Sequence, residues 1–305
     1  MCQQRWYRGN KDLSVLYRTK GLFILETRRR KKMTITFLGA GSMAEALISG
    51  VTQTLYEPKQ MIVTNRSRME RLTYMQQTYG VRTETNKEQA VKEANIVILA
   101  MKPKDVAESL TPIAHAFHEQ QLIISLLAGV TTDTIASLIG KQMPVIRAMP
   151  NTSAAIGQSA TALAQGAYAT DKHVHMAKEL FETVGIVTIV DEKHLHAVTG
   201  LSGSGPAYVY YLVEAMEKAA DEIGLERDIA KELILQTIIG AAHMLKATNK
   251  HPSVLRKEVT SPGGTTEAGI GVLERYRYQE AMIACIKRAT ERSKELGEAL
   301  LSSVQ

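Results

Sequence analysis

Cysteine is nearly absent from this sequence, because its 305 residues include only Cys2 and Cys285. Two cysteines this far apart provide neither a disulfide framework nor the closely spaced ligands of a metal site. His173 and His175 lie two apart on a predicted helix, so they point to different faces and do not share a metal. We therefore expect no metal and a reducing, cytoplasmic location. Cys285 lies in an apolar helical pattern and is expected to be a small core residue.

Long apolar runs are also missing. No stretch approaches the roughly 18 uninterrupted apolar residues that a membrane-spanning helix requires. The hydrophobic share of 45% is ordinary for a globular protein. A chain of 305 residues with this composition is long enough for one large or two ordinary domains.

Acidic residues are scarce in the first 32 positions. This segment holds ten of the 37 Lys and Arg residues but only two of the 31 acids, so the remaining chain has 27 basic and 29 acidic residues. The net charge of +6 therefore gives no compositional case for nucleic-acid binding. Residues 1–32 also lack the apolar core of a secretory signal, and Ser and Ala are too scarce to favour a transit peptide. We expect a dispensable, disordered basic extension.

Short β-branched runs alternate with helical patterns between residue 33 and about residue 190. Strands are predicted at 34–38, 61–64, 96–100, 122–126, 145–149, 160–164 and 186–190, and helices at 43–55, 68–79, 104–117 and 132–139. Ser67 with Glu70 and Asn86 with Gln89 have capping-box spacing at helix starts. This alternation predicts a mostly parallel, Rossmann-type α/β sheet covered on both faces.

The strand signal ends near residue 195. Helical patterns follow at 207–223, 227–247, 253–258 and 278–301, and several are apolar on more than one face, as in residues 233–242. We therefore predict a dinucleotide-binding domain over residues 33–195 and an all-α substrate and dimerisation domain over 196–305. So much exposed apolar surface favours a homodimer, or a higher homo-oligomer built on dimers.

A glycine-rich turn follows the first predicted strand directly. It reads Gly39, Ala40, Gly41, Ser42 and Met43, with the helix starting inside it. The first glycine permits a tight turn, and the second lets the backbone approach a pyrophosphate at the helix N-terminus. Its place after the first strand of an α/β region predicts dinucleotide binding.

The end of the second strand indicates which dinucleotide binds. An NAD site carries a carboxylate there for the ribose 2′-hydroxyl, whereas this chain has Asn65, Arg66 and Ser67. A guanidinium attracts a 2′-phosphate that a carboxylate would repel. NADPH is therefore the preferred cofactor and NADH a possible one, although Ser67 is also explained as a helix cap.

Two further segments follow strands at the carboxyl edge of the sheet, where open α/β sheets bind ligands. The first consists of Ala100, Met101, Lys102 and Pro103. The second contains Asn151, which is suited either to contact the nicotinamide end of the cofactor or to act as a turn residue before Thr152. Both interpretations stay open from the sequence.

Near the C-terminus, residues 260–267 read Thr-Ser-Pro-Gly-Gly-Thr-Thr-Glu before another helical pattern. Adjacent glycines let the backbone turn, and the hydroxyls around them can cap a helix or donate to a ligand. The positive end of the helix dipole suits a small carboxylate at this place. An ordinary capped helix start explains the same residues equally well.

The order of these motifs, with Leu-Ser-Gly-Ser-Gly-Pro-Ala-Tyr at 201–208 between them, resembles the pyrroline-5-carboxylate reductases of proline biosynthesis. The resemblance covers residue 33 to about residue 300. It implies NAD(P)H-dependent reduction of the cyclic imine 1-pyrroline-5-carboxylate to L-proline by dimers. It also implies a substrate site made of Ser261, Gly263, Gly264, Thr265 and Thr266, with Val198 and Thr199 nearby.

Imine reduction makes modest demands on the protein, because the cofactor carries the difficult step. The Ser261 hydroxyl and the N–H groups of Gly264 and Thr265 suit the substrate carboxylate, while Thr266 is placed to hydrogen-bond the ring nitrogen. Ser261 and Thr266 are thus the predicted catalytic residues. A threonine hydroxyl is too weak an acid to protonate an imine unaided. Either the iminium arrives protonated, or Thr266 relays a proton from water.

Two other functions remain as alternatives. A β-hydroxyacid dehydrogenase also joins a nucleotide domain to helices, but it places a catalytic lysine in the helix after its glycine loop, and residues 207–212 contain none. An NADP-binding sensor without turnover would need no substrate loop of the kind found at residues 261–266.

Overall fold

Eight strands form a single sheet in the computed structural model, which describes residues 33–304. They are β1 (Ile35–Leu38), β2 (Met61–Thr64), β3 (Arg82–Thr83), β4 (Ile96–Leu99), β5 (Leu122–Ser125), β6 (Val145–Met149), β7 (Ser159–Gln165) and β8 (Gly185–Ile189). Their order is β3-β2-β1-β4-β5-β6-β7-β8, and β6 and β7 form the one antiparallel pair of neighbours. The predicted mostly parallel sheet is confirmed. The predicted basic extension, residues 1–32, lies outside the described residues.

Helices cover both faces of this sheet. They are α1 (Ser42–Thr54), α2 (Met69–Tyr79), α3 (Lys87–Lys92), α4 (Val106–Leu110), α5 (Thr132–Ile139) and α6 (Asp171–Glu182). Alternate residues along each strand face opposite layers, so Ile96 and Ile98 pack with α1, α2 and α6. Val97 and Leu99 pack with α3, α4 and α5 on the other side. An apolar layer therefore packs on each face of the sheet, and the carboxyl ends of its parallel strands lie at one edge of the sheet.

The single helix predicted over residues 104–117 is wrong. The structure has a 3₁₀ turn at Pro103–Asp105, the short helix α4, and a second 3₁₀ segment at Thr111–Ala116. Pro112 explains the break, because proline lacks an N–H and its ring clashes with the carbonyl four residues earlier.

Helices make up the rest of the described chain. They are α7 (Leu195–Val198), a π-helical segment at Thr199–Gly203, α8 (Gly205–Glu222), α9 (Arg227–Thr248), α10 (Pro252–Glu258), α11 (Thr265–Arg275) and α12 (Tyr278–Val304). The expected all-helical second region is confirmed. Within residues 33–304, no helix has both the length and the apolar character needed to cross a membrane.

The helical region buries little of its own apolar surface. Beyond residue 198, the buried apolar side chains of the described part are Ala220, Ala230 and Ile234. Leu233 is 57% exposed and Cys285 is exposed, so the expectation of a core cysteine is wrong for the single chain. An apolar helix face that finds no cover within its own chain is typical of a subunit interface.

Side-chain hydrogen bonds secure the chain on either side of residue 195. The side chain of Arg147 in β6 is only 3% exposed, and its Nη1 lies 2.9 Å from Glu192 Oε1. The same carboxylate accepts hydrogen bonds from the backbone N–H and the hydroxyl of Thr132, at 2.8 and 2.7 Å. Helix α12 also returns to the junction, where Ser293 Oγ lies 3.0 Å from His196 Nδ1. The described residues form one compact unit, so the domain boundary at residue 195 stays a prediction.

Candidate active site

The glycine turn after β1 can be formed only by glycine at its first position. Gly39 has a φ of +122°, and a Cβ there would lie 2.5 Å from the Ala100 carbonyl oxygen. Its N–H donates to the carbonyl of Thr64 in β2 at 3.1 Å. The turn therefore sits between the ends of β2 and β4, which is the switch point of this strand order.

The space in front of helix α1 is open. Gly41 stands at the N-cap of α1 with extended backbone, and a Cβ built on it would meet no atom of residues 33–304 within 4 Å. The first N–H groups of a helix, here those of Ser42 and Met43, have no partner within the helix. These features fit a pyrophosphate group, because backbone donors and the positive end of the helix dipole face an unobstructed approach.

The loop after β2 is ordered by Asn65 rather than by Ser67. Asn65 Oδ1 accepts hydrogen bonds from the N–H groups of Ser67 and Arg68, at 3.2 and 3.1 Å. Helix α2 begins at Met69 without a side-chain cap, so the predicted capping role of Ser67 is wrong. The asparagine takes that role because its short amide reaches the backbone two and three residues ahead. Ser67 is left exposed and available to a ligand.

Two cations meet at the expected 2′-phosphate position. Arg66 is exposed, and its Nη1 lies 2.7 Å from Glu108 Oε2. Lys87, at the start of α3, was not predicted from the sequence, since only the fold brings it near Arg66. Burial and then the Arg66 charge lower the pKa of Lys87, opposed by Glu108 and Asp105. A phosphate placed between the two cations would relieve their mutual repulsion.

The segment after β4 runs along the same edge. The Ala100 N–H donates to the Leu38 carbonyl at 3.0 Å, which ties this segment to β1. Met101 packs partly against the second apolar layer, and Lys102 is exposed ahead of the turn that starts at Pro103. The structure therefore places the start of this segment, Ala100 and Met101, beside the glycine turn, and the cofactor roles of all four residues stay predictions.

Asn151 fills the turn role that the sequence left open. Its Oδ1 accepts from the Ser153 N–H at 3.2 Å, and its Nδ2 donates to the Ser202 carbonyl at 3.1 Å. The side chain thus caps a 3₁₀ turn and links β6 to the π-helical segment. A contact with the cofactor stays a prediction.

A cavity of about 500 Å³ opens beside Asn151, between the edge of the sheet and the start of α8. Its lining residues include Asn151, Ser153, Leu201, Ser202, Tyr208, Tyr278 and Met282. The Tyr208 hydroxyl donates to the Gly200 carbonyl at 3.1 Å. Burial, and then the neighbouring Cys285, raise the pKa of Tyr208 against the effect of Ser204. A cavity of this size suits a small ligand.

The loop before α11 has the expected turn but uses its donors differently. The Gly264 N–H, predicted for the substrate carboxylate, donates to the Ser261 carbonyl at 3.0 Å, and the Gly263 N–H donates to Glu267 Oε2 at 2.7 Å. The N–H groups of Thr265 and Thr266 open the helix and have no partner within it. Thus the helix start itself, rather than the glycine pair, supplies the free backbone donors.

One chain does not bring this loop to the cavity. Among the described residues, the hydrogen bonds of the loop stay between residues 256 and 268, and none of its residues lines the cavity. Val198 and Thr199 do not line it either, and the Thr199 hydroxyl donates to the Leu195 carbonyl at 2.7 Å. The substrate roles of these residues stay predictions.

Known proteins resemble both regions. Residues 192–296 match the family model described as pyrroline-5-carboxylate reductase dimerisation. Residues 34–129 match the model described as NADP oxidoreductase, coenzyme F420-dependent. The chain is 50% identical over 265 residues to pyrroline-5-carboxylate reductase 2 of Bacillus subtilis, a match covering 87% of this chain and 95% of that protein. The chain belongs to the pyrroline-5-carboxylate reductase family.

Relatives of this family extend well beyond bacteria. The pyrroline-5-carboxylate reductase of Arabidopsis thaliana is 36% identical over 266 residues, covering 87% of this chain and 96% of that protein. The solved structure of a Plasmodium falciparum pyrroline carboxylate reductase with NADP bound has a TM-score of 0.80 at 25% identity, covering 87% of this chain and 98% of that chain. The predicted family and fold are confirmed, and the dimerisation region identifies the protein as a homo-oligomer.

Proposed function

We propose that this protein reduces 1-pyrroline-5-carboxylate to L-proline, the last step of proline biosynthesis, with a hydride supplied by NAD(P)H. The observation that carries the proposal is the loop at residues 261–266 in a chain of this family, because the hydroxyls of Ser261, Thr265 and Thr266 and the helix-start N–H groups make no hydrogen bond with the described residues. Membership of the family confirms the predicted reductase function and NAD(P)H use. The sensor and the β-hydroxyacid dehydrogenase are not favoured.

Each segment at the carboxyl edge of the sheet has its own role in cofactor binding. The N–H groups of Gly41, Ser42 and Met43 bind the pyrophosphate beside the turn at Gly39 and Ala40. Arg66 and Lys87 provide charge for the 2′-phosphate of NADPH, and the Ser67 hydroxyl donates a hydrogen bond. The segment from Ala100 to Pro103 borders the nicotinamide half, together with Asn151. This arrangement prefers NADPH and still admits NADH, because the pyrophosphate contacts are common to both.

The substrate loop orients a small anionic imine. The Ser261 hydroxyl and the N–H groups of Thr265 and Thr266 face solvent at the N-terminus of α11, where a carboxylate is stabilised by the helix dipole. The Thr266 hydroxyl hydrogen-bonds the ring nitrogen. It holds a proton at that atom by relay from water, or it stabilises an iminium that arrives protonated.

A second copy of the chain completes the site. Within residues 33–304, the loop is exposed and none of its residues lines the cavity, while apolar side chains of α8 and α9 are exposed. Association through these helices places the loop of one subunit over the cavity of its partner. We infer a homodimer, from which larger assemblies are built, acting in the cytoplasm without nucleic acid.

The test compares two adjacent threonines. Thr266→Ala removes the hydroxyl that contacts the ring nitrogen, and we expect kcat to fall about 100-fold because a transition-state hydrogen bond is lost. Thr265→Ala is the matched control, since it keeps the backbone N–H and should change kcat less than about threefold. Ser261→Ala should raise KM for the imine about tenfold. The measurement is steady-state NADPH oxidation with 1-pyrroline-5-carboxylate, with L-proline identified as product.

Two results would contradict this function. Turnover with a β-hydroxyacid but not with the imine would favour the dehydrogenase. Tight NADPH binding without turnover on either substrate would favour the sensor. Unchanged kinetics in Ser261→Ala and Thr266→Ala would remove the substrate role of the loop.

A further inference from the structure

A cluster of polar side chains lies beneath the glycine turn and joins α1 to α2. Arg71 Nη2 donates to Glu45 Oε2, and the hydroxyls of Tyr74 and Tyr79 both donate to Glu45 Oε1 at 2.9 Å. The guanidinium carbon of Arg71 also lies 5.0 Å from the centre of the Tyr74 ring. One carboxylate therefore receives three donors, and one arginine is held by its charge and its planar face.

The same arginine reaches the glycine turn. Arg71 Nε donates to the carbonyl oxygen of Ala40 at 2.8 Å. That carbonyl belongs to the same planar, trans peptide unit as the N–H of Gly41, so the two groups point in opposite directions. By fixing the Ala40 carbonyl towards α2, Arg71 also fixes the direction of the Gly41 N–H. Gly41 is the N-cap of α1, where a built Cβ meets no atom of the described residues within 4 Å.

Glu45 would otherwise be unfavourable at this place. Its negative charge stands in the first turn of α1, close to the open space that fits a pyrophosphate. The Arg71 and Glu45 side chains are only 23% and 22% exposed, so water screens their pair incompletely. Burial would raise the pKa of Glu45, but hydrogen bonds from Arg71, Tyr79 and Tyr74, together with the Arg71 charge, lower it. The carboxylate is therefore engaged by three donors of α2.

We propose that Arg71 is a positioning residue for dinucleotide binding, which aims the Gly41 N–H at the pyrophosphate, and that Glu45 orients the Arg71 guanidinium. Arg71 itself does not contact the cofactor. The inference rests on the dinucleotide-binding part of the proposed function and is independent of which imine is reduced. It also couples the loop after β2 to the glycine turn, because Arg71 stands in the first turn of the helix that follows that loop.

The test measures cofactor affinity without turnover. In Arg71→Met we expect the dissociation constants of NADPH and NADH to rise by the same factor, about tenfold, because both share the pyrophosphate. The readout is the fluorescence change of the reduced nicotinamide on binding. Arg82→Met is the matched control, since Arg82 also pairs with a carboxylate in this domain, with its Nη2 2.7 Å from Glu93 Oε2. Its affinity for both cofactors should be unchanged.

Two further variants address folding and the conservative replacement. Arg71→Lys retains one donor for either Ala40 or Glu45, so its affinity should lie between those of Arg71→Met and the unaltered protein. Glu45→Gln keeps the shape of the side chain, and we expect about threefold weaker binding of both cofactors. If circular dichroism shows that Arg71→Met is unfolded, Glu45→Gln decides the proposal by the same measurement.

Two outcomes would overturn the proposal. A loss confined to NADPH would mean that Arg71 contacts the 2′-phosphate directly. Unchanged affinity for both cofactors in folded Arg71→Met, or in Glu45→Gln, would mean that the cluster is only structural. Absence of turnover with 1-pyrroline-5-carboxylate would refute the proposed reaction without affecting this measurement.

Discussion

The two regions of this chain differ in how much of their apolar surface they bury within one chain. In the sheet region, strands such as β4 are buried on both faces, with Ile96, Val97, Ile98 and Leu99 at most 1% exposed. In the helical region, residues of α9 such as Ile239 and Met244 are 47% and 52% exposed. One region is thus complete within a single chain, and the other requires a second copy to cover its apolar faces. The proposed cofactor site belongs to the first region and the proposed substrate loop to the second.

The contrast is tested most strongly by the same substitution in each region. Ile98→Ala opens a cavity in a packed core, so we expect the free energy of unfolding to fall by about 2–5 kcal/mol at every protein concentration. Ile239→Ala removes the same atoms from a half-exposed helix face and should destabilise the isolated chain little. Its effect should appear as easier dissociation of the oligomer on dilution. Chemical unfolding and sedimentation at several concentrations measure both effects, and equal concentration-independent losses would contradict the account.

A smaller effect is expected at the cofactor end. Arg66→Ala should weaken NADPH binding about tenfold and leave NADH binding nearly unchanged, because a charged hydrogen bond to the 2′-phosphate is lost. Glu108→Gln removes the carboxylate that pairs with Arg66, and it should tighten NADPH binding. The dissociation constants of NADPH and NADH for each variant are measured by titration and compared. Equal weakening of NADPH and NADH in Arg66→Ala would show that Arg66 does not read the phosphate.

The smallest effect concerns the junction of the two regions. Burial, then the charges of Arg147 and Lys294, lower the pKa of His196, against the opposing effects of Ser293 and Glu192. Because the pKa of His196 is lowered in the folded state, the neutral side chain contributes to the free energy of unfolding above about pH 6.5. This contribution is lost as the pH falls through the pKa of the folded state.

His196→Asn should therefore reduce the loss of Tm between pH 7.5 and pH 5.5, by about 1 °C. His175→Asn, at a side chain that is 71% exposed, is the control and should not alter that loss. Thermal unfolding at the two pH values gives the answer. A pH dependence of Tm that is the same in His196→Asn and in the unaltered protein would argue against a role for His196 at the junction.

Much of the sheet region could be predicted because its signals are local. Buried parallel strands are continuous β-branched runs, so β2 and β6 have the bounds that the sequence predicts. The glycine turn is also predictable, because it follows β1 directly. By contrast, β3 has only two residues and gives no periodic signal. The break at Pro112 is readable from the sequence, because proline disfavours a continuous helix.

The missed features of the site depend on contacts across the chain. Arg71 lies 26 residues from Glu45, and Lys87 and Arg66 come together only when α3 packs beside the loop after β2. No spacing rule connects such pairs. The proposed substrate loop shows a further limit, since its residues are readable from the sequence but the counterpart we propose for it belongs to a second subunit. The Gly264 N–H already donates to the Ser261 carbonyl, because turn formation competes with ligand binding for the same donor.

The most direct test of the central claim mixes two inactive variants. Gly41→Asp fits the backbone at the N-cap of α1 but places a carboxylate in the open space for the pyrophosphate. Thr266→Ala lacks the hydroxyl of the substrate loop. If the cavity of one chain is completed by the loop of its partner, equal mixing under conditions that exchange subunits should restore about one quarter of the full activity with 1-pyrroline-5-carboxylate. Activity that stays at the mean of the two variants would contradict a site shared between subunits.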